Sequence, residues 1–194
     1  MESPVLVRVW CLRHAESENV TAGVAGAVPA APLTPQGHRQ AAAAAQRLEP
    51  VSAVYASTAL RARETAAHLA ADVVALPSLV EVGIGALEGV ADPAVFTEWA
   101  AVLRAWIVDG DLSRRLADGE SGHQVVTRIS TAFATIATER PGETVAVVGH
   151  VASLTVGLAG LCGLGARVWG SPLAHAHPFL VEWDGTAWHC AAWP

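Results

Sequence analysis

The chain has 194 residues, 52% hydrophobic and 15% charged, with a formal net charge of −6. These values fit one domain with a sizeable core and exclude a disordered chain, and the negative balance leaves no electrostatic footprint for nucleic acid or an anionic membrane. All 12 basic residues are Arg, which excludes Schiff-base lysine chemistry and the lysine of a phosphate-binding loop.

The first apolar run, "VLVRVWCL" (5–12), is short, continuous and β-branched, as expected of a strand buried on both faces of a parallel sheet. No uncharged run is long enough to span a bilayer. In "MESPVLVRVW" Glu2 stands where a secretory signal carries positive charge, and Arg8 interrupts the apolar stretch, so a cytoplasmic protein is expected. A Gly/Ala/Pro-rich loop then leads into "TPQGHRQAAAAAQRL", a predicted helix with Thr34 as N-cap and Pro35 at its first position. "VSAVYAS" (51–57) reads as a second strand and "TALRARETAAHLAA" as the helix it feeds. "VVALPSL" is a weaker strand; "DPAVFTEWAAVLRAWIVDG" and "SGHQVVTRISTAFATIATER" are amphipathic helices. "TVAVVGH" (144–150) is another buried strand, followed by a helix that is apolar nearly all round. The chain closes on "FLVEWDGTAWHCAAW", where Asp184-Gly185 marks a hairpin turn. Strands alternating with helices define an α/β layered fold: three layers, a mostly parallel central sheet flanked by helices, and a C-terminal hairpin. There is no internal repeat and no linker, so residues 1–194 are expected to form a single domain.

Ligands of open α/β sheets collect at the carboxyl ends of the strands. Two strands end in histidine, the first in Arg13-His14 and the late one in Gly149-His150, while Arg61 falls in the first turn of the helix that follows Ser57-Thr58. Free N–H groups and the helix dipole favour anions there. Arg13, His14, Arg61 and His150 converging on one sheet edge would make a pocket for a doubly charged anion, with phosphate the foremost candidate.

The spacing of "LRHAES", "LTPQGHRQA", "STALRARETA", "EVGIGALEG", "GES" and "VVGH", in that order over about residues 6–157, resembles the histidine phosphatase superfamily, the phosphoglycerate-mutase-like fold. The resemblance implies that His14 is the nucleophile that becomes phosphohistidine. It further implies that Arg13, Arg61, His150 and Asn19 hold the phosphoryl oxygens and that Glu81 is the general acid and base. Those roles are chemically coherent. A neutral imidazole attacks phosphorus and divides one displacement into two. Arg and His donors stabilise the equatorial oxygens without a metal. A carboxyl group protonates the leaving alkoxide; apolar neighbours Val80, Val82 and Ile84 would favour its protonated form, and two arginines in the same pocket would push the other way. The implied activity is a metal-independent, cofactor-free phosphomonoesterase acting on a small phosphorylated metabolite. Mutase-type phosphoryl transfer and a non-catalytic phosphate-binding protein are the alternatives.

Other features have plainer readings. Glu88 lies in the same segment as Glu81 and is the competing carboxylate. Glu16, Glu120 and Ser121 are expected to cap or brace. His175-x-His177 would face one way on a strand and invites a zinc reading, but Pro178 follows and no acidic ligand cluster does, so no metal is expected and one of the pair is assigned to the substrate mouth. Cys11, Cys162 and Cys190 are odd in number and scattered, which argues against a disulfide framework. The seven Trp are assigned to the core or to a homodimer contact.

Overall fold

The β-branched runs form the middle of a six-stranded sheet in the computed structural model, which describes residues 6–194. Its elements in chain order are β1 (Val7–Arg13), α1 (Glu18–Thr21), α2 (Pro35–Ala45), β2 (Ala53–Ser57), α3 (Leu60–Ala67), β3 (Val73–Leu76), α4 (Pro93–Ile107), α5 (Gly122–Glu139), β4 (Thr144–Gly149), α6 (Val151–Leu161), β5 (Phe179–Trp183) and β6 (Trp188–His189). The strands lie in the order β3-β2-β4-β1-β5-β6. The pairs β3–β2, β2–β4 and β4–β1 are parallel; β5 runs antiparallel to β1 and makes the expected hairpin with β6. Val5, the first residue of the first predicted strand, and the leader reading that rests on Glu2 lie outside the described residues.

Alternation along the central strands divides the core into two layers. Val145 and Val147 of β4, with Val7, Val9 and Cys11 of β1, face a cluster built from α4, α5 and α6, including Trp106, Ile129, Phe133, Ile136 and Leu154. Ala146 and Val148, with Leu12, Val54 and Ala56, face Ala41 and Ala44 of α2 and Ala62 and Ala66 of α3. The alanine faces of α2 and α3 leave room for close helix–sheet approach on that side, whereas the opposite side is filled by long and aromatic side chains.

Helix starts follow local chemistry. The Thr34 hydroxyl accepts from the Gly37 N–H at 3.0 Å with Pro35 just inside the helix, and Ser121 and Gln124 form a capping box at the start of α5. α1 and three short 3₁₀ turns, at Pro77–Leu79, Gly85–Leu87 and Gly165–Val168, were not predicted; one-turn elements carry too few residues to show a period. The three cysteines are free and, though distant in sequence, all pack in or against one core cluster. Burial pushes all three thiols up, Cys162 to about 12, which keeps them in the unreactive protonated form. Among the described residues no helix is long and apolar enough to cross a membrane.

Candidate active site

Strand register places the two terminal histidines side by side. Arg13 pairs with Gly149 across β1 and β4, and the His14 N–H continues the ladder to the Gly149 carbonyl at 2.9 Å. The residues that follow, His14 and His150, are therefore neighbours, with ring centroids 5.1 Å apart. β2 on the other side of β4 ends at Ser57, and α3 begins three residues later, which delivers Arg61 over the same edge. Arg13, His14, Arg61, Glu81 and Asn19 line one pocket of about 210 Å³. His150, fully buried, sits directly behind it against Arg61 and His14.

The tautomer of His14 is fixed by its surroundings. Nδ1 lies 2.7 Å from the Ala15 carbonyl, which can only accept, so Nδ1 carries the proton. Nε2 is left with its lone pair, which accepts from Arg61 Nε at 3.2 Å. Burial, and after it the Arg61 guanidinium, hold the imidazole well below the usual histidine range, so it is neutral at pH 7. The backbone around it is braced from three sides: Thr65 Oγ1 accepts from the Ala15 N–H, Gln40 Oε1 from the Glu16 N–H, and Glu16 Oε1 from the Thr34 hydroxyl.

His150 is the opposite tautomer. Its Nδ1 accepts from Arg61 Nη2 at 3.3 Å, so Nε2 carries the proton and donates to Ser57 Oγ at 2.8 Å. Burial lowers its pKa well below the usual value, with His14 and Arg61 adding to the effect. Ser57 was noticed in the sequence only as a strand end; its role as the partner of His150 spans 93 residues and has no local signal.

Arg61 is 1% exposed and makes no ion pair among the described residues. Its guanidinium donates to the Val28 and Ala27 carbonyls at 2.7 and 2.8 Å as well as to the two imidazoles. Val28 takes φ 32, an uncommon conformation for a β-branched residue. The loop is held in place by Glu88, which accepts from the Ala27 N–H at 2.7 Å and the Ile84 N–H at 2.8 Å. Arg13 donates Nη1 to the Leu173 carbonyl at 3.0 Å, while its buried Nε has no partner among the described residues. Burial lowers the pKa of both arginines and Glu81 opposes the shift. Two desolvated guanidiniums, one with an unmatched donor, face a pocket with a single carboxylate. The site is short of negative charge.

That carboxylate, Glu81, sits at the N-terminus of α6. Oε1 accepts from the Ser153 N–H at 2.8 Å and from the Val82 N–H at 2.9 Å, and Oε2 from the Ala152 N–H at 3.2 Å. The structure thus brings Glu81 to the pocket and uses Glu88 to brace its loop. Asn19 is buried on the pocket wall, its Oδ1 accepting from the Ser17 hydroxyl at 2.7 Å. Glu120 accepts from Arg128 and the Gly83 N–H, as expected of a bracing residue.

His175 is a correction. Its Nδ1 donates to the His14 carbonyl at 3.0 Å, its ring centroid lies 5.6 Å from that of His14, and it lines a different cavity, with Gln36, Arg39, Gln40 and Arg47. Neither it nor exposed His177 lines the pocket. The alternation assumed for the pair fails because Ala176 between them takes φ 50 and β5 starts only at Phe179. Among the described residues no group of three or more His, Cys, Asp or Glu is placed to hold a metal ion. The sequence reading also missed Phe96 and Trp99 on the pocket wall, because aromatics on an amphipathic helix read as core.

A mostly parallel sheet carrying this histidine–arginine edge belongs to a known class, and the family model of the histidine phosphatase superfamily (branch 1) matches residues 9–194. The chain belongs to that family. Among solved structures it is similar to Bacillus stearothermophilus YhfR, at 24% identity over 96% of each chain with a TM-score of 0.80. It is similar to the mycobacterial glucosyl-3-phosphoglycerate phosphatase in complex with VO3, at 22% identity over 96% of this chain and 98% of that one, TM-score 0.82. The alpha-ribazole phosphatase from Shigella flexneri gives 22% identity, 95% of each chain and a TM-score of 0.76. At these identities the likeness establishes the fold. A search of curated proteins finds no match.

Proposed function

We propose that the protein hydrolyses phosphomonoesters of small molecules through a phosphohistidine on His14, without a metal. The observation that carries this reading is the His14 imidazole itself: neutral, with Nδ1–H fixed on the Ala15 carbonyl and the Nε2 lone pair directed at Arg61. In the first half-reaction Nε2 attacks phosphorus, the P–O ester bond breaks, and Glu81 gives its proton to the departing alkoxide. In the second, Glu81 takes a proton from water as the water oxygen attacks phosphorus, the P–N bond breaks, and inorganic phosphate leaves. Arg13, whose buried Nε lacks a partner, Arg61, His150 and Asn19 hold the phosphoryl oxygens, supplying the stabilisation that a metal provides elsewhere. A binding protein would need neither the nucleophile nor the proton donor. The free thiols of Cys11, Cys162 and Cys190 accord with a reducing, cytoplasmic setting.

The test is rapid acid-free quench with ³²P-labelled substrate. A base-stable, acid-labile phosphoenzyme that maps to His14 is expected, as is its disappearance in His14→Ala with turnover, while exhaustive chelation leaves the rate unchanged. Full activity in His14→Ala would overturn the nucleophile, and loss of activity with chelator would overturn metal independence.

A further inference from the structure

The part of the pocket beyond the phosphoryl site has a composition that the proposed chemistry does not use. Its titratable lining groups, Arg13, His14, Arg61 and Glu81, are all assigned above; the remaining wall is dominated by Val20, Val24, Val95, Phe96, Trp99 and Val151. A second anionic group on a substrate would therefore find no counter-charge there, and a charge taken out of water without one is disfavoured. Next to the pocket, between α4, α6 and residues 168–172, lies a second cavity of about 330 Å³ that shares Trp99 and Val151 with the first. Leu103, Ile107, Val168 and Trp169 contribute its apolar surface, and no titratable side chain of the described residues lines it.

Exposure points the same way. Val20, Phe96 and Trp169 are 38%, 42% and 40% exposed, among the few large hydrophobic side chains left in water in the described residues. Val20 and Phe96 lie on the first cavity and Trp169 on the second. Apolar side chains gathered on adjoining cavities, one of which ends at a reactive imidazole, mark a ligand surface.

We propose that the substrate is the monoester of an uncharged, largely apolar alcohol, whose alkyl or aryl part lies against Trp99 and, when long, passes into the cleft between α4 and α6. This rests on the phosphomonoesterase reading and narrows it. Continuity with the phosphoryl site selects a leaving group as the occupant, and the charge-free lining selects its chemistry. The leaving group then does more than dock: burying it contributes binding that positions phosphorus against Nε2.

Initial rates of the intact protein with methyl, butyl and octyl phosphate are to be compared with those for phosphoserine and 3-phosphoglycerate. Calorimetric binding of the matching alkylphosphonates, which needs no turnover, runs beside them. kcat/KM is expected to rise by about three- to fourfold per methylene while the chain is being buried. Phosphonate affinity should rise in parallel, and both charged esters should fall below butyl phosphate. Leu103→Trp, which fills the cleft, and Ile107→Thr, which makes it more polar and removes apolar surface, should each compress the octyl-to-methyl ratio. A flat chain-length series in rate and in binding, or a preference for the charged esters, overturns the inference and leaves the phosphatase reading standing. Phosphonate binding that strengthens with chain length, with no ester hydrolysed, upholds the apolar subsite and overturns the phosphatase reading instead.

Discussion

Glu81→Gln separates proton transfer from positioning, because the structure lets the two costs be weighed. Glu81 accepts three backbone N–H bonds, two through Oε1 and one, from Ala152 at 3.2 Å, through Oε2. A glutamine carbonyl can keep the Oε1 pair, but its amide nitrogen then meets the Ala152 N–H, donor against donor. Losing that one bond costs about 1 kcal/mol of stability, roughly 2–4 °C in Tm for a chain of this length. Losing the proton transfer costs on the order of 10²–10⁴-fold in rate, or about 3–5 kcal/mol of barrier. The variant should stay folded at 25 °C and be slow. The assay is kcat/KM across a leaving-group series: the loss should be largest for alkyl phosphates and should shrink for p-nitrophenyl phosphate, whose phenolate departs with little help. An equal loss with every leaving group would refute the assignment, since Glu81 would then only brace α6. Glu88→Gln is the control. Its carboxylate holds the Ala27 and Ile84 N–H groups, so it should lower Tm without changing the leaving-group slope; a change in that slope would mean Glu88 is the acid.

Acidification should destabilise the fold. Burial lowers the native pKa of His14, His150 and His175, so below the unfolded value of about 6.5 the unfolded chain binds more protons than the native one and stability falls as pH drops. Tm measured from pH 8 to pH 5 should be flat above about 7 and decline below about 6.5, and His150→Gln should reduce the slope; a Tm that rises on acidification would contradict the neutral assignments. Gly37→Ala should act on the site from a distance, because a Cβ at Gly37 would run into the Glu16 carbonyl, two residues after His14. Overpacking of this kind costs about 1–3 kcal/mol, and displacing the nucleophile by ~1 Å can cost about 10²-fold in kcat; a wild-type Tm and kcat would show that the α2 contact does not position His14.

What the sequence made legible is what it encodes at short range. The Thr34 and Ser121 caps, the Asp184 turn and the strands around Val9 and Val147 depend on neighbours within a few residues or on a short continuous β-branched run, and each is where the pattern puts it. The Arg13, His14, Arg61 and His150 set was legible for a related reason. Each sits at the end of a strand or the start of a helix, so fold class alone brings them to one edge. What stayed hidden is long-range and backbone-borne. Nothing near Ser57 says that it holds the His150 proton, and nothing near Ala27 and Val28 says that their carbonyls occupy a guanidinium 33 and 34 residues away. Those carbonyls matter to the chemistry. They aim Arg61 while leaving it without a carboxylate partner among the described residues, which in the proposed mechanism keeps its charge for the phosphoryl group. The alternation expected of His175 and His177 failed by the same logic: strand geometry was extended four residues before the start of β5, through an alanine whose positive φ only the folded chain reveals. A local pattern can name the side chains gathered at this sheet edge, but the groups that aim them are set by chain crossings, and in this protein much of the aiming is done by main-chain oxygen and nitrogen that carry no residue signature at all.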